Sequence, residues 1–207
     1  MTAASGTVTE SVQPRLASRA LHIGRGCLIV LALVAGCCAI VGAGFYALTL
    51  QCRSEIRSLA PWPGAGTSAR SVATVDLGHL GLEVIRVLDP EAVYGSGWAS
   101  TDAAVVEYGA GSSRVATFGA LRYSDVQDAR EHFTALAAWS QESCSLAWWS
   151  SQDTYGVIGC DHAGGHNRML WNDRWILDVD ASSYGGLEDL ALVDEIRDAA
   201  AAQWQGR

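Results

Sequence analysis

The sequence predicts an α+β protein: one N-terminal transmembrane helix, then an extracytoplasmic domain with an antiparallel sheet of about six to eight strands and two packed helices. Three observations predict it. Residues Cys27 to Leu50 form an uncharged apolar run of 24 residues. Short β-branched and aromatic runs punctuated by Gly, Asn and Asp recur through residues 72–180, the pattern of antiparallel hairpins. Two stretches, from Ser124 and from Leu187, carry apolar residues at helical spacing.

Composition narrows the class. The 207 residues are 49% hydrophobic and 17% charged, and all 14 basic residues are Arg. That balance excludes a disordered chain, which is apolar-poor and charge-rich. The net charge of −8 excludes a basic nucleic-acid binder. Lys-free, Ala- and Gly-rich usage fits a GC-rich, bacterial genome. The charge is unevenly placed. Arg15, Arg19 and Arg25 against Glu10 make the first fifty residues +2, which leaves −10 for residues 51–207.

In chain order, residues 1–25 lack apolar periodicity and read as a mobile cytoplasmic tail. Residues 26–51 form the transmembrane helix, because about 20 helical residues cross a hydrocarbon core. A secretory signal peptide has a shorter apolar core and a cleavage site. Val34-Ala35-Gly36-Cys37 resembles the lipobox of bacterial lipoproteins, which implies a lipid anchor at Cys37; against this, the chain stays apolar from Cys38 to Leu50. Three Arg before the span and two soon after it, Arg53 and Arg57, favour an inside N-terminus. This places the chain in the plasma membrane with its C-terminal domain outside. Residues 52–68 read as a juxtamembrane helix and a Pro/Gly linker, and 69–207 as the extracytoplasmic domain.

Within that domain, Val72–Leu77 and Leu80–Leu88 read as strands separated by Gly78. Ala103–Tyr108 and Arg114–Tyr123 read as a hairpin. Ser124 and Gln127 form a capping-box pattern, with Ser124 as N-cap, ahead of a stripe of Val126, Ala129, Phe133, Leu136 and Ala137. The last helix runs from Leu187 to about Trp204, with Leu190, Val193, Ile196 and Ala200 on its buried side. A hairpin centred on Gln152 opposes Cys144 to Cys160, Leu146 to Ile158 and Trp148 to Gly156. Opposed strand residues lie close to disulfide range, so Cys144 and Cys160 are expected to be bonded. Arg168–Trp171 and Arg174–Asp180 form a further hairpin about Asn172-Asp173. Residues 114–133 and 174–196 suggest a weak internal repeat of hairpin plus helix.

No catalytic motif is present: there is no G-x-S-x-G elbow, HExxH or paired CxxC. The expectation is a non-enzymatic binding, sensing or accessory module of the cell envelope without a cofactor. Its partners are then the lipid bilayer and another membrane or envelope protein, not nucleic acid. The alternative is a membrane-tethered enzyme or metal protein using Asp161, His162, His166, Asp178 and Asp180, since His and Asp are metal ligands. Trp98, Trp149 and Trp171 are the candidate partner-binding aromatics.

Overall fold

The computed structural model describes residues 30, 32–44, 46–47, 50, 53–54, 56–57, 59–64, 66–97, 100–110, 113–182 and 187–205. The chain divides into two units, residues 1–47 and 48–207. In the first, residues 30, 32–44 and 46–47 are helical with exposed side chains. The rest of that unit, with the whole of the expected tail (1–25) and the start of the expected span, lies outside the described residues. Among the described residues no helix is long and apolar enough to cross a membrane.

The second unit is built on a seven-stranded antiparallel sheet. Its elements are α1 (Ala69–Ala73), β1 (Glu83–Leu88), α2 (Pro90–Tyr94), β2 (Ser100–Ala110), β3 (Ser113–Tyr123), α3 (Val126–Ser143), β4 (Leu146–Ser151), β5 (Tyr155–His162), β6 (Gly165–Asn172), β7 (Trp175–Ala181) and α4 (Leu187–Gln205). The strand order is β1-β2-β3-β7-β6-β5-β4. Two meanders therefore meet at an antiparallel β3–β7 junction, where Gly119 faces Asp178.

Both faces of the sheet are covered, and strand alternation explains how. Trp175, Leu177 and Val179 of β7 share a face, as their period of two requires. They join Phe118, Val157 and Leu170 in a core closed by Val72 of α1 and by Val193, Ile196 and Ala200 of α4. Ile56 and Leu59 are buried in the same core, which Trp62 packs against. Ile176 points the other way. It packs with Leu121, Ile158, Met169 and Trp171 under Ala129, Phe133 and Ala137 of α3. Trp148 packs against the first of these cores, while its neighbour Trp149 faces the other way and stays exposed.

Local chemistry moved several boundaries. Residues 72–73 are helical, not extended, because Ser68 caps α1 by accepting from Ser71 N. Only the second of the two expected strands, as β1, is formed. The cap of α3 is Asp125, whose carboxylate accepts from Asp128 N at 2.9 Å; Ser124 instead donates to the Asp128 side chain. The β6–β7 turn is Asp173-Arg174, one residue later than expected, since Asn172 already pairs with Trp175. Asp173 there takes a φ of 52°.

The 144–160 hairpin is the largest correction. Trp148 faces Gly159 and Trp149 faces Ile158, a slip of three residues from the expected pairing. An odd slip exchanges the faces of one strand relative to the other. Two aromatic rings set this register. A Cβ on Gly159 would lie 2.3 Å from the Trp148 ring, and one on Gly156 would lie 2.6 Å from Phe133. Each glycine accepts a ring from a different side of the sheet. The turn is then only Asp153-Thr154, closed by Gln152 N donating to Tyr155 O at 2.7 Å. The Cys144–Cys160 disulfide forms nonetheless, with Cα atoms 5.7 Å apart. Cys144 is the C-cap residue of α3, not a strand residue, so the bond ties that helix end to β5.

Candidate functional site

The same alternation sorts the expected site residues. β5 continues through His162 and β6 begins at Gly165, so both histidines sit on strands and not in a loop. His162 pairs with Gly165, and His166 pairs with Asp161. Neighbouring pairs point to opposite faces, so His162 and His166 are separated by the sheet. His166 Nδ1 is 2.5 Å from Asp161 Oδ1 on the α4 side. His162 Nε2 is 2.9 Å from Asp180 Oδ2 on the α3 side, where Asp178 also lies. The five residues therefore form two groups. Among the described residues no three His, Cys, Asp or Glu side chains converge to hold a metal ion.

The α3-side group is the chemically distinctive one. Asp178 is buried, and its carboxylate accepts from Asn167 Nδ2 at 2.6 Å and from Tyr94 Oη at 2.9 Å. Burial pushes Asp178 up to about 6; the neighbouring Asp180 charge adds to this, while the two hydrogen bonds oppose it. Burial, then the Asp178 charge, raises the Tyr94 hydroxyl well above its ordinary value. Tyr94 therefore remains a donor and Asp178 an acceptor.

A cleft of about 350 Å³ opens beside this group. Its walls combine Val93, Trp139, Met169 and the disulfide with Thr117, His162, Asn167, Asp178 and Asp180. Trp139 is 53% exposed and Val93 45% exposed, so its rim is apolar. A second recess, of about 420 Å³, lies at Trp62, Arg122, Arg174 and Trp175. There Arg122 donates to Thr67 O at 3.1 Å and lies over the Trp175 ring, so its guanidinium serves the fold.

Gly119 makes the Tyr94 contact feasible. A Cβ at this position would sit 1.9 Å from Tyr94 Oη and 3.1 Å from its Cζ. Gly119→Ala is expected to expel the ring and cost about 1–3 kcal/mol, the range for stranding a buried polar group. Chemical denaturation checks this as a double-mutant cycle. The alanine costs less in a Tyr94→Phe background, which has already lost the nearest atom. Equal costs in both backgrounds would place the effect elsewhere.

Of the aromatic candidates, Trp149 is 46% exposed on β4. Trp171 is fully buried, its ring 5.4 Å from that of Phe133, and presents no surface to a partner. Trp98 lies outside the described residues. Tyr94, Asn167, Gly119 and Trp139 had no signal in the sequence. Their common role comes from four separate elements meeting around Asp178, in the middle of β7. Asp178 and Asp180 were legible, because residues two apart on a strand share a face.

No protein-family model matches this chain. No curated protein sequence matches it. Among solved structures it is similar to a GTP-binding regulator from Thermotoga maritima, at 10% identity and a TM-score of 0.43, over 61% of this chain and 80% of that one.

Proposed function

We propose that this chain is a single-pass membrane protein presenting a disulfide-bonded, acidic, extracytoplasmic module that binds a small ligand in the α3-side cleft. The N-terminus stays inside, and the module is a non-enzymatic binding, sensing or accessory part of the cell envelope. The observation that carries the binding reading is the cleft itself. It joins an apolar rim to two hydrogen-bonded carboxylates, a buried Asp178 and a partly exposed Asp180, the usual make-up of a small-molecule site. The uncharged run of residues 27–50 supports anchoring in the lipid bilayer, by its length and composition. The disulfide supports an extracytoplasmic position, since such bonds persist in oxidising compartments. The exposed Trp149 supports contact with another membrane or envelope protein.

Topology is tested by introducing Glu195→Cys on the exposed side of α4 and treating intact cells with a membrane-impermeant maleimide. Labelling beyond that of the parent chain is expected without permeabilisation, with the protein held in carbonate-washed membranes. Labelling only after lysis, or release by carbonate, overturns the reading.

A further inference from the structure

Apart from the Thr117 and Ser143 hydroxyls, the α3-side cleft offers few hydrogen-bond donors. Its floor holds the carboxylates of Asp178 and Asp180. The donors directed at Asp178 are one tyrosine hydroxyl and one amide NH₂. Asn167 spends its NH₂ on Asp178. Its amide oxygen is buried and has no hydrogen-bond partner among the described residues, and the residue as a whole is only 8% exposed. Buried carbonyl groups are nearly always satisfied, and an exception marks a missing donor. Of the residues lining the cleft, His162 is the only basic one, and its Nε2 is engaged with Asp180. Among the described residues of the lining there is no Lys or Arg.

The missing partner must therefore bring a donor, O–H or N–H, and the acidic floor favours an N–H that also carries positive charge. The walls restrict its shape. Trp139, Val93, Met169 and the disulfide form the apolar part. A half-exposed indole at the rim attracts an organic cation through its ring face. A volume of about 350 Å³ suits a small molecule and not a peptide segment of any length.

We propose that the cleft formed by Trp139, Val93, Asn167, Asp178 and Asp180 binds a small organic cation, an amine with a compact apolar or aromatic body. Its ammonium group lies against the two carboxylates and supplies the donor that the Asn167 carbonyl lacks. Its apolar body packs against Trp139. This inference rests on the reading of the cleft as a ligand site, and adds the ligand's charge and hydrogen-bonding character.

The test is calorimetric titration of the full chain in detergent with benzylamine, benzyl alcohol and benzoate, which share one ring and differ in charge. Benzylamine is expected to bind with a Kd of about 1 mM or tighter. Benzyl alcohol should bind about tenfold or more weakly, and benzoate not at all. Asp180→Asn should weaken benzylamine about tenfold or more. Trp139→Ala, at an exposed position that folding tolerates, should weaken it about three- to tenfold. Equal affinity for benzylamine and benzyl alcohol overturns the cation proposal but leaves a ligand cleft standing. Unchanged benzylamine affinity in both variants also overturns it, by moving the binding elsewhere. Absence of heat from all three probes overturns both the cation proposal and the cleft as a site, while the topology experiment stands independently.

Discussion

Replacing both Cys144 and Cys160 by alanine is expected to lower the stability of the folded unit by about 3 kcal/mol. The bond joins residues 16 apart in sequence. Closing a loop of that size removes about this much conformational freedom from the unfolded chain, in the chain-entropy description. For a unit of this length the midpoint should fall by about 6–12 °C. The location of the bond adds a second effect. Cys144 ends α3, donating its backbone N–H to Ser140 O at 3.0 Å, and the disulfide holds that helix end to β5. Because the disulfide also walls the cleft, loss of the bond should loosen the cleft beside Trp139. Denaturant unfolding of the wild type with and without reductant provides the check. Reductant should bring the wild type to the level of the double alanine variant and leave that variant unchanged. A wild type indifferent to reductant would show that the crosslink contributes nothing.

The second large effect is a pair of opposed pH dependences. His132 is fully buried between Tyr94 and Tyr123 and hydrogen-bonded to the Tyr123 hydroxyl. Burial pushes its imidazole down to about 4. The unfolded chain takes up that proton near pH 6.5. Between about 6.5 and 4 the unfolded state thus holds the extra proton, and stability falls as pH falls. Asp178 behaves in the opposite sense. Its folded value of about 6 lies above the ordinary 3.8, so the folded state holds the extra proton between these values. Its contribution is present at low pH and is lost as pH rises from about 4 to 6. Each change amounts to about 3 kcal/mol, and the two nearly cancel over the shared window.

Single variants separate them. Asp178→Asn should gain on the wild type by about 3 kcal/mol as pH rises from 4 to 6. His132→Phe should gain by a similar amount as pH falls from 6.5 to 4. Unfolding free energies measured across pH 4–7 read both trends. Curves parallel to the wild type for either variant would mean that the group titrates normally in the folded protein.

How much of this was visible beforehand depended on the range of the interaction. Trp175, Leu177 and Val179 share the α4 side of the sheet, and Asp178 the other, because alternation is a local property of a strand. Both long helices were legible from their apolar stripes. The caps and turns were displaced by one residue at Ser124/Asp125 and Asn172/Asp173, where adjacent residues of nearly equal capping or turn quality compete and packing chooses. The α1 segment failed for a related reason: Val72 favours a strand, but the Ser68 cap and burial against the sheet hold it helical.

The sequence by itself determined the apolar run at residues 27–50, the split of charge to either side and the antiparallel sheet class; it also paired Cys144 with Cys160, but through a register that the fold does not adopt. These follow from composition, period and spacing along a few residues. Tertiary structure decided the register of the 144–160 hairpin, through Trp148 on Gly159 and Phe133 on Gly156. It also sent His162 and His166 to opposite faces. It alone made the cleft, because Val93, Trp139, Asn167 and Asp178 come from four elements far apart in the chain. Nothing in local propensity specifies which side chains meet when a sheet is covered on both faces; only the packing of α2 and α3 against β3, β6 and β7 does.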